Sequence, residues 1–145
     1  MTDAVPLADE PVEAAVVRTE TPFVDRVWNI RRDEVSYNGE SIVREYMDHT
    51  GAVAVLALDD RDRVLLIKQY RHPVRLRDWE IPAGLLDIAE ESPLVAAQRE
   101  LAEEADLVAA SWHVLGEFMA SPGGSDEAIR IYLARDLRAA DETFA

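Results

Sequence analysis

The chain has 145 residues, enough for one domain with a real core and too few for two comfortable ones. Hydrophobic residues at 48% and charged residues at 30% describe a globular chain, and the absence of cysteine excludes disulfides, thiol nucleophiles and thiolate metal sites and fits a cytoplasmic setting. A net charge of −14 without a basic stripe argues against a nucleic-acid partner, and the longest apolar run, residues 52–58, is far too short for a membrane span.

In chain order, residues 1–14 are acidic and broken by proline, which predicts a disordered N-terminus without the basic start of a signal peptide. Residues 15–50 read as antiparallel strands: Val27, Trp28, Ile30, Val35 and Tyr37 are β-formers, Asn38-Gly39 is a hairpin turn, and residues 41–48 alternate beyond it. A domain over 51–145 follows. Residues 51–58 form a buried strand, residues 59–62 a polar turn, and residues 64–71 its partner strand. Residues 72–78 read as a loop and residues 79–81 as a short strand entering Pro82-Ala83-Gly84.

Ser92 is a good N-cap and Pro93 suits the first helical position, so a helix begins there. Leu94, Leu101 and Ala105 fall on one side, which would face a sheet. Residues 112–119 and 128–134 are further strands around a Ser121-Pro-Gly-Gly-Ser125 loop, and residues 135–145 have no clear element. Strands before and after a central helix predict an α+β or mixed α/β sandwich.

The helix carries Glu100, Glu103 and Glu104 on one face, since positions three and four apart are neighbours. Like charges at this spacing cost a bare helix about 0.2–0.5 kcal/mol per pair. Magnesium reverses that sign by taking oxygens from carboxylates, waters and a substrate phosphate. Gly84 permits a sharp backbone turn beside them, where the Ala83 carbonyl could join the ligands. Three glutamates alone more often mark a solvated acidic face, the commonest fate of a Glu-rich helix.

The spacing says more. Gly84 is followed by Glu91, and after seven further residues come Arg99-Glu100-Leu101-Ala102-Glu103-Glu104-Ala105-Asp106-Leu107. The stretch resembles the Nudix box. Two departures stand out. Six residues rather than the usual five separate Gly84 from Glu91, so either Glu90 takes the family position or the loop holds one extra residue; the good helix start at Ser92-Pro93 favours the loop. Asp106 stands where the family has a glycine, a position that ends the helix in a left-handed conformation.

The resemblance implies a Nudix α/β/α sandwich and hydrolysis of a nucleoside diphosphate derivative with Mg²⁺ or Mn²⁺. It implies Glu100 and Glu104 as principal metal ligands, Glu103 as auxiliary, the Ala83 carbonyl assisting, and Glu91 and Arg99 paired as a brace. Trp79-Glu80-Ile81-Pro82-Ala83-Gly84, Gln69-Tyr70-Arg71 and Pro122 in the loop Ser121–Glu127 resemble the ADP-ribose pyrophosphatases of this family. That implies ADP-ribose as substrate, yielding AMP and ribose 5-phosphate, and Gly84, Ser125, Asp126 and Glu127 among the substrate contacts.

Arg71 would hold a diphosphate oxygen, or else be an ordinary strand-end ion pair. Glu80 would accept from a ribose or adenine donor. Arg44 and Trp28 lie where the resembling enzymes form a homodimer and hold the adenine, although Trp28 also suits a core. His49 and His72 have no evident partner and read as structural or surface residues. In the resembling enzymes a further loop, strand and helix follow, with a glutamate that aims the water. Glu142 is the nearest candidate and falls short of that position, so the expectation is a shortened chain that is poorly active or completed by a partner. The rival readings are a hydrolase of another nucleotide sugar and a nucleotide-sensing module without hydrolysis.

Overall fold

The computed structural model describes residues 7–140. Its strands are β1 (Ala15–Phe23), β2 (Asn29–Tyr37), β3 (Glu40–Asp48), β4 (Ala52–Ala57), β5 (Ile67–Arg71), β6 (Leu76–Glu80), β7 (Ala83–Leu85), β8 (Leu107–Met119) and β9 (Ala128–Ala139). Among the described residues the one helix is α1 (Pro93–Ala105). The N-terminal strands form an antiparallel sheet in the order β1-β2-β3, joined at Asn38-Gly39, both of which have positive φ as a tight hairpin turn requires. Residues 7–14 form no regular element.

The central sheet runs β7-β4-β9-β8, with β4 parallel to β9 and the other pairs antiparallel. β4 reads as a continuous apolar run because both its faces are covered. Val53, Val55 and Ala57 are fully buried against Ala96, Ala97 and Leu101 of α1, with Tyr132 and Ala134 of β9 beside them. Ala52 and Ala54 point to the other face. The helix seats on β4, β7, β8 and β9 largely through small residues, Ala96, Ala97 and Ala102, which let it approach the sheet closely. Ser92 caps it, accepting the Val95 N–H at 3.4 Å, and Asp106 ends it in the left-handed conformation, φ 52° and ψ 36°.

Several expectations need correction. Leu94 is exposed; the core face of α1 is Ala96, Ala97, Leu101 and Ala102. Residues 64–71 are not the sheet partner of β4. They touch its end through the Leu58–Val64 bridge and the Leu65 N–H, which donates to the Ala57 carbonyl at 3.0 Å, and β5 instead pairs with β6 in a separate two-stranded ribbon. The loop there is shorter than 72–78, because β6 begins at Leu76 after a turn in which Arg75 takes φ 57°. β8 begins at Leu107 rather than 112. β9 extends to Ala139, so residues 135–139 do have an element: pairing with β8 outlasts the apolar pattern.

The N-terminal sheet is tied to the domain through the loop between β8 and β9. The Met47 N–H donates to the Gly124 carbonyl at 2.9 Å, and the His49 N–H donates to Asp126 Oδ1 at 2.8 Å.

Candidate active site

β7 alternates like any strand, and its two faces look at different chemistry. The Cβ direction of Gly84 points into α1, where an added methyl would overlap the Glu100 carboxylate. Ala83 is held one residue earlier: its N–H donates to Glu104 Oε2 at 3.0 Å. Glu104 Oε1 accepts from Gln69 Nε2 of β5 at 2.5 Å. Glu103 points outward and is half exposed.

Arg99 organises the rest. Its guanidinium donates to both oxygens of Glu91, each at 3.0 Å, to Glu100 Oε1 at 2.6 Å and to Glu103 Oε2 at 3.2 Å. This two-pronged pair makes Glu91 the partner of Arg99, and Glu90 just before it turns the loop with φ 65°. The loop reading of the spacing therefore agrees with the backbone.

The charges do not balance. Hydrogen bonding to Arg99 holds the Glu91 carboxyl below its ordinary value, and the same bond raises Arg99 further above its own. Glu100 moves the other way: burial raises it, Arg99 opposes, and Glu103 and Glu104 add to the rise. One guanidinium thus serves three carboxylates while Glu104 has neutral donors only.

Behind β7 lies an open cleft of about 620 Å³. Of the expected substrate residues it gathers Trp28, Arg71, Glu80, Gly84 and Glu127, with Ala83, expected at the metal, beside them. Arg71 and Glu80 form a bidentate pair, Nε–Oε1 2.8 Å and NH2–Oε2 2.5 Å, which holds Glu80 below the ordinary carboxylate range and raises Arg71. Trp28 lines the cleft with its ring 6.0 Å from that of Phe23, so it is not a core residue. Arg44, Ser125 and Asp126 lie apart from this group, in a neighbouring groove of about 470 Å³ with Tyr46 and Pro122. Glu142 lies outside the described residues.

The histidines do have partners. His72 Nδ1 lies 3.1 Å from the Tyr70 hydroxyl. His49 lines the cleft beside Glu127, and its ring accepts the Gly51 N–H at 3.1 Å. Nothing local in the sequence signals this, since Asp126 and Glu127 are more than seventy residues away. Phe118, Ile129 and Ile131 also line the cleft, as the outward-facing alternates of β8 and β9.

The family profile described as NUDIX domain matches residues 48–143. The chain belongs to the Nudix family. A Mycobacterium tuberculosis (strain ATCC 25618 / H37Rv) protein named ADP-ribose pyrophosphatase is 46% identical over 123 residues, covering 84% of this chain and 59% of that protein. A Bacillus methanolicus protein named methanol dehydrogenase activator is 39% identical over 126 residues, covering 86% of this chain and 68% of its own length. A crystal structure of an ADP compounds hydrolase superposes with a TM-score of 0.76 at 24% identity, covering 92% of this chain and 73% of the other, which establishes the Nudix fold. This chain thus spans about three-fifths of the length of the M. tuberculosis relative.

Two predictions follow from the geometry of the Nudix box. Gly84→Ala drives a methyl into Glu100 and should destabilise the protein by about 1–3 kcal/mol. Adding Glu100→Ala should recover part of that loss, read from urea midpoints; a full midpoint in Gly84→Ala alone would refute the contact. The second concerns pH. A depressed Glu91 stabilises the fold above its unfolded value of 4.5, and that contribution disappears as pH falls through the lower folded value. Glu91→Gln should therefore be less stable than the parent at neutral pH and should converge with it in acid. A constant gap in Tm from neutral to acid would contradict the pairing.

Proposed function

We propose that this Nudix protein is a metal-dependent pyrophosphatase that hydrolyses a nucleoside diphosphate derivative, with ADP-ribose as substrate and AMP and ribose 5-phosphate as products. The observation that carries the reading is the placement of the carboxylate helix against β7, directly beside a cleft that offers Arg71, Glu80 and Trp28. The name of the M. tuberculosis relative supports the substrate.

The donor set suits a hard divalent cation. Glu100 and Glu104 are oxygen donors with more negative charge than Arg99 offsets, and both abut the Ala83-Gly84 backbone. Among the described residues no three His, Asp or Glu side chains converge into a ready-made cage. Magnesium does not need one, because it keeps several waters and shares substrate phosphates with one or two carboxylates. In this reading Glu100, Glu104 and the Ala83 carbonyl hold Mg²⁺ or Mn²⁺, with Glu103 auxiliary. The ion, when bound, neutralises the diphosphate and polarises the phosphorus under attack.

The chain's own residues do the positioning. Arg99 fixes the carboxylates by bonding several at once, and Glu91 fixes Arg99. Arg71 exchanges part of its pairing with Glu80 for a diphosphate oxygen, which frees Glu80 to accept from a ribose or adenine donor. Trp28 stacks on the base and Arg44 assists from the neighbouring groove, while Ser125, Asp126 and Glu127 close around the sugar. Water adds to one phosphorus, the bridging P–O bond breaks, and the other phosphate leaves.

Metal-dependent release of AMP from ADP-ribose tests the reading, against a panel of other nucleotide sugars. Glu104→Gln should lower kcat by about 100-fold or more, with its circular dichroism unchanged. Undiminished turnover would strike Glu104 from the ligand set. The same reading makes residues 15–50 a homodimer interface, supported by exposed Val16, Val17 and Val43 on a sheet that stands apart from the core. Sedimentation velocity should give a dimer that Val17→Lys weakens; a monomer at all concentrations would exclude it.

A further inference from the structure

We propose that His49 and Glu127 form a hydroxyl-recognition couple in the cleft, gripping one sugar hydroxyl of the ligand; the proposal rests on the nucleotide-sugar reading above. His49 is held from two sides. Its backbone N–H donates to Asp126 Oδ1 at 2.8 Å, and its Nδ1 accepts the Gly51 N–H at 3.1 Å. With the Nδ1 lone pair taken, the ring proton sits on Nε2. The ring is only 7% exposed, so it has little freedom to turn away.

Nε2 lies 3.8 Å from Glu127 Oε1, too far for a hydrogen bond, and makes no other among the described residues. It is nevertheless not sealed off: among those residues the one fully buried polar side-chain atom without a partner is Asp33 Oδ1. A donor and an acceptor, each with spare capacity, therefore lie side by side in the wall of the cleft, 3.8 Å apart.

The pair selects the guest by chemistry. A phosphate oxygen would accept from Nε2–H and be repelled by the Glu127 carboxylate. An ammonium would satisfy Glu127 and oppose the N–H. A hydroxyl does both, accepting from Nε2–H and donating to Oε1. An oxygen about 2.9 Å from Nε2 and about 2.7 Å from Oε1 closes the triangle across the observed separation. A water can rest there in the free protein, and a sugar hydroxyl that reproduces both bonds can replace it.

The test measures KM and kcat for ADP-ribose and for analogues that each lack one sugar hydroxyl, using the parent, His49→Phe, Glu127→Ala and the double variant. For one analogue the parent should show a KM raised about tenfold. Each single variant should raise the KM for ADP-ribose to a similar extent while treating that analogue as the parent does, with kcat little changed. The double variant should lose no more than the singles, because both groups hold the same atom. Equal losses on every analogue, or a parent indifferent to every hydroxyl, would overturn the couple. If His49→Phe does not fold, Glu127→Ala decides alone by the same criterion. A parent that neither binds nor cleaves ADP-ribose or any nucleotide sugar of the panel would overturn the nucleotide-sugar reading beneath, a result distinct from a parent that works but whose variants keep their discrimination.

Discussion

The contact between Gly84 and the Glu100 carboxylate is the constraint on which the site depends. No other residue type leaves room for the carboxylate at that point, because any Cβ would overlap it. The contact lets the Glu100 side chain lie against β7, and the alanines at positions 96, 97 and 102 let the helix backbone approach the sheet closely. Once the helix is seated there, Glu104 reaches the Ala83 N–H and the box becomes one surface made from strand and helix together.

That surface is held at an electrostatic disadvantage. Burial and its acidic neighbours oppose ionisation of Glu100, and Arg99 relieves this only in part because Glu91 and Glu103 draw on the same guanidinium. A solvated acidic helix would spread its charges into water. Here two of them are turned inward and fastened, an arrangement a fold retains at the expense of stability. The bidentate Glu91–Arg99 pair keeps the arrangement from relaxing, since Arg99 cannot swing away without leaving Glu91 unpaired.

The box was readable in the sequence because its information is local. The N-cap at Ser92, the left-handed end at Asp106 and the pairing of Glu91 with Arg99 all depend on residues within one helix and its entry loop. The strand partners were less readable. The apolar run of β4 cannot reveal that β9, from far along the chain, lies parallel beside it, nor that residues 67–71 turn away to pair with β6. Leu94 was misread because helical periodicity gives a face but not where the sheet ends, and at the first turn the helix has not yet reached its cover. His49 was missed because every group that gives it a role, apart from Gly51, lies across the fold.

The position of β9 accounts for how the cleft and the box come to lie side by side. By inserting between β4 and β8, β9 covers the inner edge of β4 and carries Ile129 and Ile131 onto the face opposite α1. The loop that leads into it is pinned to the end of β3 through Met47 and His49, so the N-terminal sheet is fixed relative to the cleft rather than merely tethered to it. β7 is the shared wall: its backbone meets the carboxylates on one side and the cleft on the other, with Gly84 and Ala83 only one residue apart. In the proposed reading, a diphosphate at the edge of that wall would meet the acidic helix and Arg71 at its phosphates, while its sugar and base extend toward Glu127 and Trp28. A displacement of α1 would therefore change both the charge the phosphates meet and the position of the backbone that lines the cleft.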